Sequence, residues 1–164
     1  MDETFCKPAA IQLRKYTPSD AFPLLCLFRD TVHRVNCRDY TPEQIAAWAP
    51  DDLPLEPWAN RFKGKVAFVA HDNDTIAGFA DMTTCGHLDR LFVSANFQRQ
   101  GVARQLLRAI VRSAHQLQLN EITTDASITA KPFFLAESFV VVSEQSVLCR
   151  SQRMNNFKMR YILS

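Results

Sequence analysis

The sequence lacks three features that would define its class. No run of about 18 apolar residues occurs, so no membrane-spanning helix is expected. The N-terminal sequence Met1-Asp2-Glu3-Thr4 is acidic and lacks the apolar segment of a secretory signal. The formal net charge is only +2 and no block of Lys or Arg is present, so nucleic acid is not an expected partner.

Cysteine and histidine also lack the spacing of a disulfide framework or a metal site. The five cysteines are odd in number and widely spaced, without a C-x-x-C pair, which favours reduced thiols in the cytoplasm. The four histidines are scattered, without H-x-x-x-H spacing, so no metal is expected. These residues are Cys6, Cys26, Cys37, Cys85 and Cys149, and His33, His71, His87 and His115.

The composition is that of a globular protein. Of the 164 residues, 47% are apolar and 22% are charged. This length suits one domain, which we expect to span residues 1–164 and to bury about two thirds of the surface of the unfolded chain.

Hydrophobic periodicity and turn residues predict the order β-α-α-β-β-β-α-β-α-β-β. Helix starts are predicted at Thr17-Pro18 and at Thr41, where Gln44 completes a capping box. The strand at 121–126 follows a helical crossover and is expected to pair in parallel. In the strand from His87 to Val93, residues 87, 89, 91 and 93 are expected to share one face. Strands are predicted at 11–16, 65–71, 75–82, 87–93, 121–126, 139–142 and 156–163, and the polar residues 143–153 extend the last two as an optional hairpin. Helices are predicted at 17–35, 41–50, 56–62, 101–114 and 130–138.

A strand, a loop with a glycine and a helix follow one another around Gly101. First-turn N–H groups have no partner inside a helix, and the helix dipole favours negative charge there, so an anion site is expected. Gly101 permits close approach of the backbone to a phosphate, and Arg99 and Arg104 add positive charge. The residues of this site are Gln98, Arg99, Gln100, Gly101, Val102, Ala103 and Arg104.

Two motifs resemble signatures of the GNAT superfamily of N-acetyltransferases. Residues 98–103, QRQGVA, resemble the Q/R-x-x-G-x-G/A loop that holds the pyrophosphate of coenzyme A. Residues 127–134, SITAKPFF, followed by Ser138-Phe139, keep the spacing of N-x-x-A-x-x-F-Y and its closing G-F. The resemblance implies an α/β (α+β) fold, a mixed and splayed sheet of about six to seven strands flanked by about four helices. It also implies acetyl-CoA as the co-substrate.

The chain departs from the family pattern at two positions that the resemblance assigns to co-substrate binding. Ser127 stands where an Asn usually contacts the pantetheine, and its hydroxyl is able to hydrogen-bond an amide. Phe134 stands where a Tyr usually donates a proton to the leaving thiolate, which a phenyl ring is unable to do. Residues 31–36, 39–44, 48–50 and 156–159 further resemble a bacterial subgroup of these enzymes, which does not name the amine.

Acetyl transfer to an amine requires a base for the ammonium group and hydrogen-bond donors for the thioester oxygen. The resemblance places a base at His87, and Asp89 is the second candidate on the same strand. An imidazole titrates close to neutral pH and suits this role. The resemblance assigns the donors to backbone N–H groups of Leu91, Phe92 and Val93.

Each of these assignments has a structural alternative. Asp89 would form an ion pair with its neighbour Arg90, and His87 would be a solvent-exposed strand start after Gly86. A covalent role for Cys85 is the weaker option, because a free cysteine usually acts as a small apolar residue.

The acceptor is expected near the first helices and the loop between them. A polar and aromatic pocket there would suit a cation. The alternative for Trp48 is a position in the core, and the alternative for Asp39 and Tyr40 is a solvated connector before the helix cap. The candidate residues are His33, Asp39, Tyr40 and Trp48.

These observations predict an acetyl-CoA-dependent N-acetyltransferase that acts directly on a primary amine of a small molecule or peptide. One alternative is a non-catalytic module that binds or senses acyl-CoA, prompted by Phe134. Another is a toxin-like enzyme that acetylates aminoacyl-tRNA, against which the low net charge argues. The expected partners are acetyl-CoA and the amine, with no nucleic acid and no membrane, and a homodimer is kept open.

Overall fold

The computed structural model describes residues 10–164, so the expectations on Met1–Thr4 and Cys6 lie outside the described residues. Seven strands form one mixed sheet in the order β1-β2-β3-β4-β5-β7-β6, which confirms the predicted fold class. Five α-helices flank the sheet in this part of the chain, rather than about four. The strands are β1 Gln12–Lys15, β2 Val66–Asp72, β3 Thr75–Met82, β4 His87–Val93, β5 Glu121–Ser127, β6 Val140–Cys149 and β7 Gln152–Ile162. The helices are α1 Ala21–Arg34, α2 Pro42–Trp48, α3 Leu55–Asn60, α4 Val102–Gln116 and α5 Lys131–Ala136.

Local capping explains where the first helices begin. At α2, the Gln44 N–H donates to Thr41 Oγ1 at 3.2 Å and the Thr41 N–H donates to Gln44 Oε1 at 2.9 Å. Before α1, the Thr17 N–H donates to Asp20 Oδ2 at 2.8 Å across a 3₁₀ turn. Both predicted helix starts are confirmed. Among residues 10–164, no helix combines the length and apolar character needed to span a bilayer.

The sheet separates two apolar cores. α4 and α5 pack on one face around Leu106, Ile110 and Phe134. α1 to α3 pack on the other face, where Phe28 and Trp58 are central. Because both faces are covered, a ligand is able to pass through the sheet only where neighbouring strands part.

The C-terminal strands form one long hairpin. β6 pairs antiparallel with β7 along its length, and Arg150 in the connecting turn has a φ of 52°. The polar residues 143–153 therefore extend both predicted strands, which confirms that they form a hairpin. Most side chains of this edge strand are exposed, so the alternation of buried and exposed residues that marks a strand is weak there.

A bulge in β4 changes which of its side chains share a face. Asp81 pairs with Arg90 but Met82 pairs with Leu88, so Asp89 is an extra residue in β4. The α4 side of β4 carries Leu88, Leu91 and Val93, and the α1 side carries Arg90 and Phe92. The prediction that residues 87, 89, 91 and 93 share one face is wrong, because strict alternation fails at a bulge.

Candidate active site

The central strands β4 and β5 part after a short parallel contact. Only His87 with Thr123 and Leu88 with Thr124 are paired. The rest of both strands borders a gap in the sheet, which confirms the splay that the resemblance implied. Free strand edges are able to hydrogen-bond the amides of an extended arm such as pantetheine.

The backbone of Leu91 and Val93 points into this gap. The Ser94 N–H donates to Ala77 O on β3 at 2.8 Å, and antiparallel ladders alternate bonded and non-bonded pairs. Phe92 therefore bonds to β3, whereas Leu91 and Val93 direct their N–H groups toward β5. Of the three expected donors, these two are placed to serve an oxygen in the gap.

The loop after β4 ends in an exposed helix N-terminus. Gly101, with a φ of +79°, directly precedes α4, and no heavy atom beyond its two chain neighbours lies within 4 Å of the position its Cβ would take. Gln105 donates the first intrahelical bond, to Gly101 O at 3.1 Å. First-turn N–H groups without a helical partner therefore belong to Val102, Ala103 and Arg104. This arrangement is able to hold a phosphate.

Two side chains of the loop are engaged with neighbouring segments. Gln98 Nε2 donates to Val93 O at 2.8 Å, which folds the loop onto the end of β4. Arg104 Nε donates to Glu137 Oε1 at 2.7 Å, which links α4 to the residue after α5. Arg99 and Gln100 are exposed, and Arg99 makes no ion pair within residues 10–164. Arg99 is therefore the cation of the loop that is available to an anion.

Ser127 and Phe134 have different surroundings. Ser127 Oγ accepts from the Ala130 N–H at 3.0 Å, in the turn that leads into α5. Phe134 is 3% exposed and packs edge-on against Phe139, with 4.9 Å between the ring centroids. Ser127 lies at the gap, whereas the ring of Phe134 lies in the apolar core on the α4 side. Their contact with the co-substrate stays a prediction.

His87, Thr123 and Asp125 form a polar cluster where the strands begin to part. His87 Nδ1 lies 3.0 Å from Thr123 Oγ1, within hydrogen-bond distance. His87 Nε2 lies 3.7 Å from Asp125 Oδ2, beyond that distance. The side chains of His87 and Asp125 are 38% and 41% exposed, so a solute reaches both. Gln145 Nε2 donates to Asp125 Oδ1 at 2.9 Å and orients the carboxylate.

Asp89, the second base candidate, is held by two cations. Its Oδ2 lies 2.6 Å from Lys65 Nζ and 3.1 Å from an Arg61 nitrogen. Burial opposes ionisation of Asp89, but the hydrogen bond from Lys65 and the charge of Arg61 outweigh it and lower its pKa. Asp89 is thus in an ion pair, but the expected partner Arg90 is wrong, because Arg90 pairs with the buried Asp81.

Two of the expected acceptor residues make local contacts on the α1 side of the sheet. His33 Nε2 lies 2.8 Å from Ala49 O, which links α1 to the end of α2. Asp39 Oδ2 accepts from Thr129 Oγ1 at 2.8 Å, which ties the loop before α2 to the loop after β5. Both side chains remain exposed.

The other two expected acceptor residues belong to an aromatic group on the same side. Tyr40 is buried, and its hydroxyl donates to Asn155 O and accepts from the Ile128 N–H, each at 2.9 Å. Burial raises the pKa of Tyr40, so this hydroxyl stays protonated at neutral pH. Trp48 is half-buried, with its ring centroid 5.5 Å from that of Tyr40 and 6.1 Å from that of Phe92.

Three polar residues beside the gap are not predicted from the sequence: Thr123, Asp125 and Asn156. Alternation along β5 was an available signal, since Thr123 and Asp125 share the face opposite the buried Ile122. Their approach to His87 depends on the register between β4 and β5, which no local pattern reveals. Asn156 lies opposite Ser127, and its Oδ1 is buried without a hydrogen-bond partner among residues 10–164.

Comparisons with known proteins agree with this geometry. The model of a family described as the acetyltransferase (GNAT) domain matches residues 36–161. The uncharacterized N-acetyltransferase YafP of Escherichia coli (strain K12) is 38% identical over 151 residues, which are 92% of this chain and 95% of that protein. A crystal structure of a GCN5-related N-acetyltransferase from Rhodopseudomonas palustris aligns with a TM-score of 0.91 and 26% identity, over 96% of this chain and 98% of that chain. The structure of yncA from Salmonella typhimurium with its cofactor acetyl-CoA aligns with a TM-score of 0.72 and 14% identity, over 94% and 95% of the two chains.

Proposed function

Because the chain belongs to the GNAT family of acetyltransferases, whose acetyl donor is acetyl-CoA, we propose that it transfers the acetyl group directly to the primary amine of a small molecule. The observation that carries this proposal is the parting of β4 from β5 beside the N-terminus of α4. The gap suits an extended thioester arm, and the helix N-terminus suits its pyrophosphate.

The residues around the gap fit acetyl-CoA at both ends. In this proposal, the N–H groups of Leu91 and Val93 donate to the thioester oxygen, and the first turn of α4 holds the pyrophosphate together with Arg99. A groove of about 400 Å³ between α4 and α5 follows that turn, and its charged lining residues are Arg108, Arg112 and Glu137, the last of which pairs with Arg104. When bound, acetyl-CoA supplies an electrophilic carbonyl carbon.

In the proposed reaction, His87 Nε2 takes one proton from the ammonium group of the acceptor. The neutral nitrogen then attacks the thioester carbon, so that a C–N bond forms and the C–S bond breaks. The nitrogen loses its second proton to solvent as the amide forms, and the departing sulfur takes one proton from solvent. His87 suits this task better than Asp89, because its Nε2 is reachable and Asp89 is neutralised by Lys65 and Arg61.

The sulfur does not need an acid from the protein. A thiol has a pKa of about 8.5, so the thiolate is a tolerable leaving group near neutral pH. The phenyl ring of Phe134 is therefore compatible with turnover.

A small acceptor is favoured over a polypeptide because α2 is bonded to the β6–β7 hairpin. Three side-chain-to-carbonyl bonds connect α2 and the loop before it to the hairpin: Tyr40 to Asn155, Gln44 to Arg153, and Arg150 to Ala47. We infer that these bonds, which hold the hairpin against α2 on the α1 side of the sheet, narrow the approach to the gap from that side. A polypeptide would have to break them in order to lie across it.

The competing function is acyl-CoA binding without turnover. A panel of small amines and short peptides, with release of free thiol recorded, separates the two functions. We expect thiol release with small amines and little with peptides. Tight binding of acetyl-CoA without thiol release on any acceptor would favour the sensing module, and faster release with peptides would overturn the small acceptor.

We also propose that residues 1–164 are one domain, that the protein works in the cytoplasm and that it forms a homodimer. The cysteines among residues 10–164 form no disulfide, which suits a reducing compartment. β6 is an edge strand that exposes Val140, Val142 and Leu148, apolar surface that a second copy would cover. Light scattering checks the dimer, and cell fractionation checks the location.

A further inference from the structure

Asp125 has no part in the reaction described above, yet its carboxylate stands beside the proposed base. Gln145 holds Oδ1 at 2.9 Å, and Oδ2 faces His87 Nε2 at 3.7 Å. Both side chains are open to solvent on the α1 side of the sheet. The carboxylate is therefore oriented, and one of its oxygens is available to a ligand.

The carboxylate of Asp125 is also not neutralised by the protein. In the part of the chain that the structure describes, no Lys or Arg nitrogen lies within 4 Å of it, and its one ionic neighbour is His87. Lys158 lies opposite Asp125 on β7, and Arg160 lies opposite Thr123, but neither reaches the carboxylate. A cation from solution is thus able to pair with Asp125.

We propose that Asp125 binds the acceptor as its ammonium ion and presents it to His87, so that the acceptor is a basic amine, charged at neutral pH. This proposal rests on the acetyl transfer proposed above. An ammonium nitrogen that makes hydrogen bonds of about 2.8–2.9 Å to both Oδ2 and Nε2 spans their separation. The same contact that recognises the charge places the departing proton on the base.

Thr123 completes this arrangement. When Nδ1 carries the ring proton, it donates to Thr123 Oγ1 and leaves the Nε2 lone pair directed at the ligand. The β4–β5 pairing ends at Thr124, so Asp125 is the first residue at the opening of the gap. The amine is therefore bound at the point where β4 and β5 begin to part, next to the gap proposed for the thioester.

The test compares a basic and a weakly basic amine of similar size, benzylamine and aniline, in the wild type and in Asp125→Asn. For benzylamine, we expect kcat/KM to fall about 10- to 100-fold, mainly through KM, the loss typical of a hydrogen bond to a charged group. For aniline we expect a change of less than about threefold, because it is uncharged at neutral pH. The KM for acetyl-CoA should stay unchanged. Asp74→Asn, in the exposed β2–β3 turn, makes the same charge change and should alter kcat/KM for neither amine.

Equal losses for the two amines would show a merely structural role, and an unchanged KM for benzylamine would exclude ammonium binding. A second measurement does not depend on turnover. With coenzyme A present, benzylammonium should shift the ring ¹⁵N resonances of His87 in the wild type but not in Asp125→Asn, and benzyl alcohol should shift neither. If the wild type binds acetyl-CoA but acetylates no amine, the proposed acetyl transfer is overturned. If benzylammonium shifts the His87 resonances equally in the wild type and in Asp125→Asn, the proposed role of Asp125 is overturned.

Discussion

Asp89 and Asp125 lie near the same gap but differ in what surrounds them. Asp89 is bonded to Lys65 and Arg61, so its charge is neutralised and its pKa is lowered. Among residues 10–164, the polar neighbours of the Asp125 carboxylate are the neutral amide of Gln145 and the ring of His87. The same side chain is thus structural at one position and available to a ligand at the other.

Replacement of His87 should affect the chemistry and its pH dependence. His87→Ala removes the proposed base, so kcat/KM should fall by about 10²–10⁴-fold and the ascending limb of its pH profile should disappear. Asp89→Asn is the control, which should keep that limb. Rates measured from pH 5 to 9 check both variants, and a wild-type profile in His87→Ala would place the base elsewhere.

Phe134→Tyr tests whether an acid at this position would help. The ring of Phe134 is 3% exposed in the core, so an added hydroxyl lacks a partner and should lower the free energy of unfolding by about 1–3 kcal/mol. We expect no rise in kcat. Phe133→Tyr, on a partly exposed ring, should be close to neutral in urea unfolding. A higher kcat in Phe134→Tyr would mean that the hydroxyl reaches the sulfur.

The bulge in β4 turns Arg90 toward the α1 side of the sheet. Its guanidinium lies 4.0 Å from the ring centroid of Phe62 and 4.6 Å from that of Trp58, and its Nε donates to Asp81 Oδ1 at 3.1 Å. This buried group fixes the strand from which Leu91 and Val93 reach the gap.

Breaking that buried pair should be costly. Asp81→Ala leaves the Arg90 charge without its partner, so the free energy of unfolding should fall by about 3–5 kcal/mol. The double variant Asp81→Ala with Arg90→Met removes both charges and should recover part of the loss. Urea unfolding measures both, and a double variant no more stable than the single one would contradict this account.

The loop before α4 should be sensitive to its glycine. Gly101→Val places a β-branched residue at a φ of +79° and adds atoms beside the first-turn N–H groups, so acetyl-CoA binding should weaken about tenfold or more. Gly64→Val is a matched control, at a φ of +70° with equally open space but outside the loop. Calorimetric titration compares the two, and unchanged binding in Gly101→Val would remove the phosphate-loop assignment.

The free energy of unfolding in acid should depend on carboxylates that form ion pairs with arginine or lysine. Two hydrogen bonds from Arg14, each 2.8 Å, lower the pKa of Asp20 from its ordinary value of 3.8, against the effect of burial. The unfolded chain therefore binds more protons in acid, and the stabilisation is full above about pH 4 and lost as the pH falls through the folded pKa.

Asp20→Asn tests this dependence. At pH 7 the variant should be less stable than the wild type by about 1–3 kcal/mol, because a hydrogen bond to a charged group is lost. At pH 3 the difference should shrink. Urea unfolding at the two pH values measures it, and a difference that grows in acid would contradict the assignment.

The sequence by itself determined the features that neighbouring residues control. The element order, the capping box at Thr41 and the glycine loop before α4 each depend on residues a few positions apart, so local patterns reveal them. The GNAT fold followed from two such motifs.

Tertiary structure alone decided which side chains meet at the gap. The extra residue at Asp89 depends on how β3 and β4 pair, and its cations come from the segment after α3. His87 reaches Asp125 only through the parallel register of β4 and β5, which are separated in sequence by the whole of α4. Strand register is set by the packing of both faces of a sheet at once, so no local stretch of sequence contains it.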